Sequence, residues 1–125
     1  MSFLRTSRMT LQERLAQHVK FEVALQAEGF ASEPGVLQKV GKRFMRVNNQ
    51  YFVPSTMQEI VLLGASLKVT GAAASIRTTY AGTFEAKLVR TGFDFIELLV
   101  TREEEEEELR MLIPLNQVIS VERIG

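Results

Sequence analysis

An order of punctuation that occurs twice restricts the fold of this chain more than any other feature. Val19, Phe21, Val23 and Leu25 alternate with Lys20, Glu22, Ala24 and Gln26, the two-residue period of a half-buried strand. A loop from Gly29 to Gly35 follows, with Pro34 inside it. Val36–Val40 and Lys42–Val47 read as two strands parted by Gly41. Asn48-Asn49 is a tight hairpin turn, since asparagine tolerates positive φ, and Gln50–Val53 returns as a strand. Pro54 stops that ladder because it has no amide hydrogen, and Glu59–Leu63 is the fifth strand. The second half repeats the order: a strand within Leu67–Thr79, a turn at Tyr80-Ala81-Gly82, and strands over Thr83–Val89 and Phe93–Val100 with Gly92 between them. Leu109–Ile113, Pro114 and Val118–Glu122 complete it.

Set with Gly41 on Gly92, the halves match at Leu37 with Leu88, Lys39 with Arg90, Phe44 with Phe95, Met45 with Ile96 and Val47 with Leu98. Further on, Val53-Pro54 falls on Ile113-Pro114, and Ile60-Val61 on Val118-Ile119. Such self-similarity is read as a tandem duplication. In front of the first copy, Thr10-Leu-Gln-Glu13 has the spacing of a capping box, and Leu11 and Leu15 lie one helical turn apart. A short amphipathic helix over Thr10–His18 is expected, with His18 as an ordinary helix-end histidine beside the negative end of the helix dipole.

Composition narrows the chemistry. The chain has 125 residues, 46% of them hydrophobic, which suits one domain or two very small ones that lean on each other. There is no cysteine, so disulfides, thiolate metal sites and cysteine nucleophiles are excluded. A single histidine weighs against a histidine-built metal site or a serine triad. No apolar run is long enough to span a bilayer and no secretory signal is evident, so a cytoplasmic location is expected.

Basic and acidic residues balance at 15 each, but not along the chain. Up to Leu63 there are eight basic and five acidic residues; from Gly64 there are seven and ten. The acidic excess sits in Glu103, Glu104, Glu105, Glu106, Glu107 and Glu108, which read as a solvated loop that could also meet a basic partner or the basic half of this same chain. Lys39, Lys42, Arg43 and Arg46, with Phe44 and Tyr51 near them, form a basic cluster able to face a partner or to stack and neutralise a single-stranded nucleic acid. Strand alternation would put its charges in water and Phe44 in the core. Asp94 and Glu97, at odd spacing, fall on opposite faces of their strand. No phosphate-binding loop, dinucleotide fingerprint, HExxH or GxSxG is present, and neither an enzyme nor a cofactor is expected.

A helix, five strands and a glycine bend between the second and third resemble the Sm-like small barrel, the fold of Sm and Hfq proteins, related in shape to SH3-type barrels. The residues that carry the likeness are Ile76–Gly82, Leu88–Leu98 and Met111–Val121, with a weaker copy through Gly41, Phe44 and Val53-Pro54. The resemblance implies an all-β chain of two tandem five-stranded barrels, residues 1–64 with the helix and 65–125 with the acidic loop. It also implies edge-to-edge pairing, internally through the fifth strand of one copy and the fourth of the next, or between chains. The asparagine with which the family grips uridine falls here on Met45 and Ile96, and the arginine-glycine pair on Pro54-Ser55 and Pro114-Leu115. A non-enzymatic interaction or assembly module is therefore expected, bound to a protein partner or to itself. RNA binding through the basic patch is the alternative.

Overall fold

The computed structural model describes Leu4 and residues 6–102 and 107–125. Thr10 caps α1 (Leu11–Ala16): its hydroxyl accepts from the Glu13 amide, and the Glu13 carboxylate accepts from the Thr10 amide. The capping box forms as its spacing requires, but the helix ends two residues before His18. His18 is buried, and its Nε2 donates to the Glu22 carbonyl 3.0 Å away.

Among the described residues eleven strands follow: β1 (Glu22–Ala27), β2 (Phe30–Ala31), β3 (Gly35–Val40), β4 (Met45–Val47), β5 (Gln50–Phe52), β6 (Glu59–Leu62), β7 (Ala72–Thr78), β8 (Gly82–Thr91), β9 (Phe95–Arg102), β10 (Glu107–Pro114) and β11 (Val118–Arg123). Short 3-10 turns at Pro54–Thr56 and Leu115–Gln117 lead into β6 and β11. β2 is an addition to the expected pattern. Part of the 29–35 loop folds back along β1, with Gln26 opposite Ala31 and Ala27 opposite Phe30.

The strands do not close into two barrels. They form one open antiparallel sheet in the order β11-β7-β8-β9-β10-β6-β1-β3-β4-β5, with β2 beside β1. The junction is β10 on β6, where Met111 faces Val61 and Leu112 faces Ile60. The fourth strand of the second half thus pairs with the fifth strand of the first. Pairing in this way satisfies the backbone groups that closure would otherwise have to satisfy.

Within the sheet each half has the same internal order, β6-β1-β3-β4-β5 and β11-β7-β8-β9-β10. The correspondence reaches single hydrogen bonds. The Gly41 amide donates to the Phe44 carbonyl and the Gly92 amide to the Phe95 carbonyl, each at 2.8 Å. β3 meets β4 with a register shift between Leu37 and Lys39, and β8 meets β9 with one between Leu88 and Arg90. The ends of the halves align differently from the sequence match. Pro54 opens the first 3-10 turn, whereas Leu115 opens the second. Ile60 faces Leu25 and Val121 faces Ile76, so Ile60-Val61 corresponds to Val121-Glu122. Two prolines one residue out of step misled the alignment.

Two apolar cores lie on opposite faces of the junction strands. Leu11, Leu15, Val23, Leu25, Leu37, Met45, Ile60 and Leu62 form the first, joined by Phe95 and Leu112 from the second half. Ala74, Ile76, Leu88, Ile96, Leu98, Met111 and Ile113 form the other, joined by Val61 from the first half. Period two along β6 and β10 sends alternate side chains to alternate cores. All four residues of β6 are therefore buried.

The glycine bends give a first test. A Cβ on Gly92 would strike the Phe95 ring and lie 2.8 Å from the Met9 carbonyl, whereas one on Gly41 meets nothing nearer than the Phe44 carbonyl at 3.5 Å. Gly92→Ala is expected to cost about 1–3 kcal/mol by overpacking, and Gly41→Ala to lie within about 0.5 kcal/mol of the parent. Urea unfolding of both variants checks the difference.

Candidate functional site

The junction between the halves is a finished interface inside one chain, and it sets a standard for the edges left open. Its centre is Glu97, fully buried on β9. Its Oε1 accepts from Arg14 Nε at 2.7 Å and its Oε2 from Arg110 Nε at 2.5 Å, with Arg90 Nη1 3.9 Å from Oε1. Burial by itself pushes the Glu97 carboxyl up, but the hydrogen bonds and charges of Arg14 and Arg110 outweigh it and hold the group below the ordinary glutamate value. Arg110 also donates to the Ser66 carbonyl, which ties down the stretch that connects the halves.

The first-half helix is clamped to the second half beside this group. Asp94 Oδ1 accepts the Leu11 amide at 2.8 Å, and the Phe93 amide donates to the Met9 carbonyl at 2.8 Å. Asp94 precedes β9, so the expectation of opposite strand faces does not hold for it: both carboxylates bond to α1, Asp94 at the Leu11 amide and Glu97 at Arg14. Around them Phe95 and Leu112, both 0% exposed, enter the first core beneath Leu11 and Leu15.

The same positions at the free end of the sheet carry the basic cluster. Arg46 pairs with Tyr51 where Glu97 pairs with Leu112, and Phe44 stands where Phe95 stands. Here nothing covers them among the described residues. Phe44 is 50% and Tyr51 63% exposed, and their rings meet edge to face at 6.4 Å. Phe44 is thus not in the core: Met45, its neighbour, takes the buried side of β4. Arg46 is half-buried, and its Nε is enclosed without a hydrogen-bond partner among the described residues. Such a donor costs about 1–3 kcal/mol while it stays unpaired. Lys39 lies opposite Arg46 in the register, and Lys39, Lys42 and Arg43 are exposed.

Backbone geometry completes the site. Asn48 and Asn49 have φ of 47° and 67°, the positive values of a two-residue hairpin turn. The pair flanking such a turn, Val47 and Gln50, is the hydrogen-bonded one and the next is not. Tyr51 therefore turns its amide and carbonyl away from β4, towards the open edge. The structure brings Arg46 and Tyr51 together as one surface, with Lys39 beside them and Lys42 and Arg43 in the adjoining bend.

Other candidates are poorer. A cleft of about 510 Å³ between α1 and the two glycine bends is lined by Gln12, Glu13, Val40, Lys42 and Phe93 among others, but Glu13 and Asp94 there are engaged in capping the helix. Glu103–Glu106 of the acidic run lie outside the described residues, while Glu107 and Glu108 open β10 and are exposed. Among the described residues no group of three histidine or acidic side chains is placed to hold a metal ion. None of the helices there is long and apolar enough to cross a membrane. The ion cluster at Glu97 was not legible in the sequence, since Arg14 lies 83 residues from it and nothing local marks the pair. Comparison of the chain with protein-family models, curated proteins and solved structures finds no match in any of the three.

Proposed function

We propose that the chain is a non-enzymatic interaction module built from two Sm-like units, opened out and joined edge to edge, and that it takes a protein partner by strand addition at β5. One observation carries this reading. The contact that β10 makes with β6 is completed inside the molecule, while among the described residues the corresponding strand β5 pairs with β4 alone. The side chains that the junction buries, Phe95 and Leu112, have exposed aromatic counterparts in Phe44 and Tyr51. An open edge that presents unpaired backbone groups beside apolar side chains is a template for another strand. A burial face already used once in the same chain supports the idea that its counterpart is meant to be covered.

The alternative is RNA held on Lys39, Lys42, Arg43 and Arg46 with Phe44 and Tyr51 as stacking surfaces. Two experiments on the full chain separate them. In a salt titration with oligo-U and oligo-A RNA, strand addition predicts no complex at physiological salt. An affinity that falls steeply with salt and depends on Lys39, Lys42 and Arg46 would establish RNA binding instead. In affinity capture, Tyr51→Pro removes the outward amide and is expected to reduce retained protein partners about tenfold, which is about 1.4 kcal/mol. β5 is an edge strand and tolerates proline there.

A further inference from the structure

We infer that the occupant of the β5 edge is an acidic segment of a different polypeptide, which adds an antiparallel strand and sets a carboxylate on Arg46. This inference rests on the strand-addition reading and names the chemistry of its partner. The junction supplies the template. There the half that receives β10 contributes Ile60 and Leu62 from β6, and Leu11, Arg14 and Leu15 from α1. The aliphatic side chains cover Phe95 and Leu112, and Arg14 neutralises Glu97.

At the free edge the charge is inverted, because Arg46 stands in the place of Glu97. A second copy of this chain added through β11, the other outer strand of the sheet, does not meet that need. Applied to β5 through β11 in the same register, it would bring Val121 to the place of Ile60 and Arg123 to that of Leu62. Glu122 would fall on the opposite face, as Val61 does. The stretch before β7, residues 64–71, holds no helix, and its one charged side chain is Lys68. In that register β11 would therefore bring Val121 and Arg123, and no carboxylate of its own, to the face of Arg46. The enclosed Arg46 Nε needs an acceptor, and the three neighbouring cations favour an anionic one.

The test uses the full chain and two fluorescein-labelled peptides, acetyl-Val-Glu-Val-Glu-Val-amide and its lysine counterpart, with affinities from anisotropy at physiological ionic strength. The acidic peptide is expected to bind at least about tenfold tighter, or about 1.4 kcal/mol. Arg46→Gln should bring the two peptides level, Arg46→Glu should reverse their order, and Arg77→Gln, exposed on β7 towards the far end of the sheet, should leave the preference standing. Equal affinities for the parent chain, or an acidic preference untouched by Arg46→Gln, would overturn the carboxylate assignment and leave strand addition intact. Peptide binding that survives Tyr51→Pro would instead overturn strand addition at β5. Light scattering guards the choice of partner: the parent is expected to stay monomeric across the micromolar range, and concentration-dependent oligomers abolished by Tyr51→Pro would give the edge to a second copy.

Discussion

Glu97→Ala is expected to lower the free energy of unfolding by about 3–5 kcal/mol, the usual consequence of removing one partner from a buried, hydrogen-bonded charge cluster. The effect should be large here because two buried arginines would lose their common acceptor. Arg14 and Arg110 are both less than a tenth exposed, and Glu97 joins a helix of the first half to two strands of the second. Glu97→Gln keeps the shape and an acceptor oxygen, and should cost less. The cluster also gives stability a pH dependence of definite sign. The folded carboxyl is held below its unfolded value, so its contribution is fully present above that value, about 4.3. It is lost as the pH falls from there through the depressed folded value. Urea midpoints measured from neutral pH down to the acid range should fall more steeply for the parent than for Glu97→Gln. Parallel curves would remove Glu97 from the account of acid stability.

That cluster also shows where reading the sequence ran out. Alternation and punctuation are local, and they placed nearly every strand within two or three residues. Gly41 and Gly92 were legible as equivalent bends because each stands where a second strand turns into a third, and the same amide-to-carbonyl bond forms at both. Closure was not legible. Nothing in Gln50–Phe52 or Glu59–Leu62 tells whether the two strands pair with each other or whether one finds β10, because that choice depends on a partner about 50 residues away in the chain. Phe44 was misplaced for a related reason. Period two sets an alternation of faces but not which face is inside, and here Met45 and Val47 take the core. The candidate surface at Lys39, Lys42, Arg43, Arg46 and Tyr51 was legible as a cluster of charge, while the enclosed state of Arg46 needed coordinates.

Phe95→Ala and Phe44→Ala form the most direct comparison, since they delete the same side chain from equivalent places in the two halves. Phe95 is fully enclosed in the core of the opposite half, so its truncation is expected to cost about 3–5 kcal/mol as a cavity opens under Leu11 and Leu15. Phe44 is half exposed, its ring edge to face with that of Tyr51, so its truncation should cost no more than about 1 kcal/mol. Denaturant unfolding of the two variants measures the difference directly. If the exposed ring exists to be covered, the ranking must invert in a binding assay: Phe44→Ala should weaken the acidic peptide complex several-fold. Phe95→Ala, measured well below its unfolding midpoint, should leave that complex nearly unchanged, because Phe95 lies at the junction and not at β5. Equal stability losses would mean that the junction does not bury Phe95 as described. A Phe44→Ala chain that binds like the parent would mean that the aromatic pair at the edge is not part of the docking surface, whatever the backbone of Tyr51 contributes.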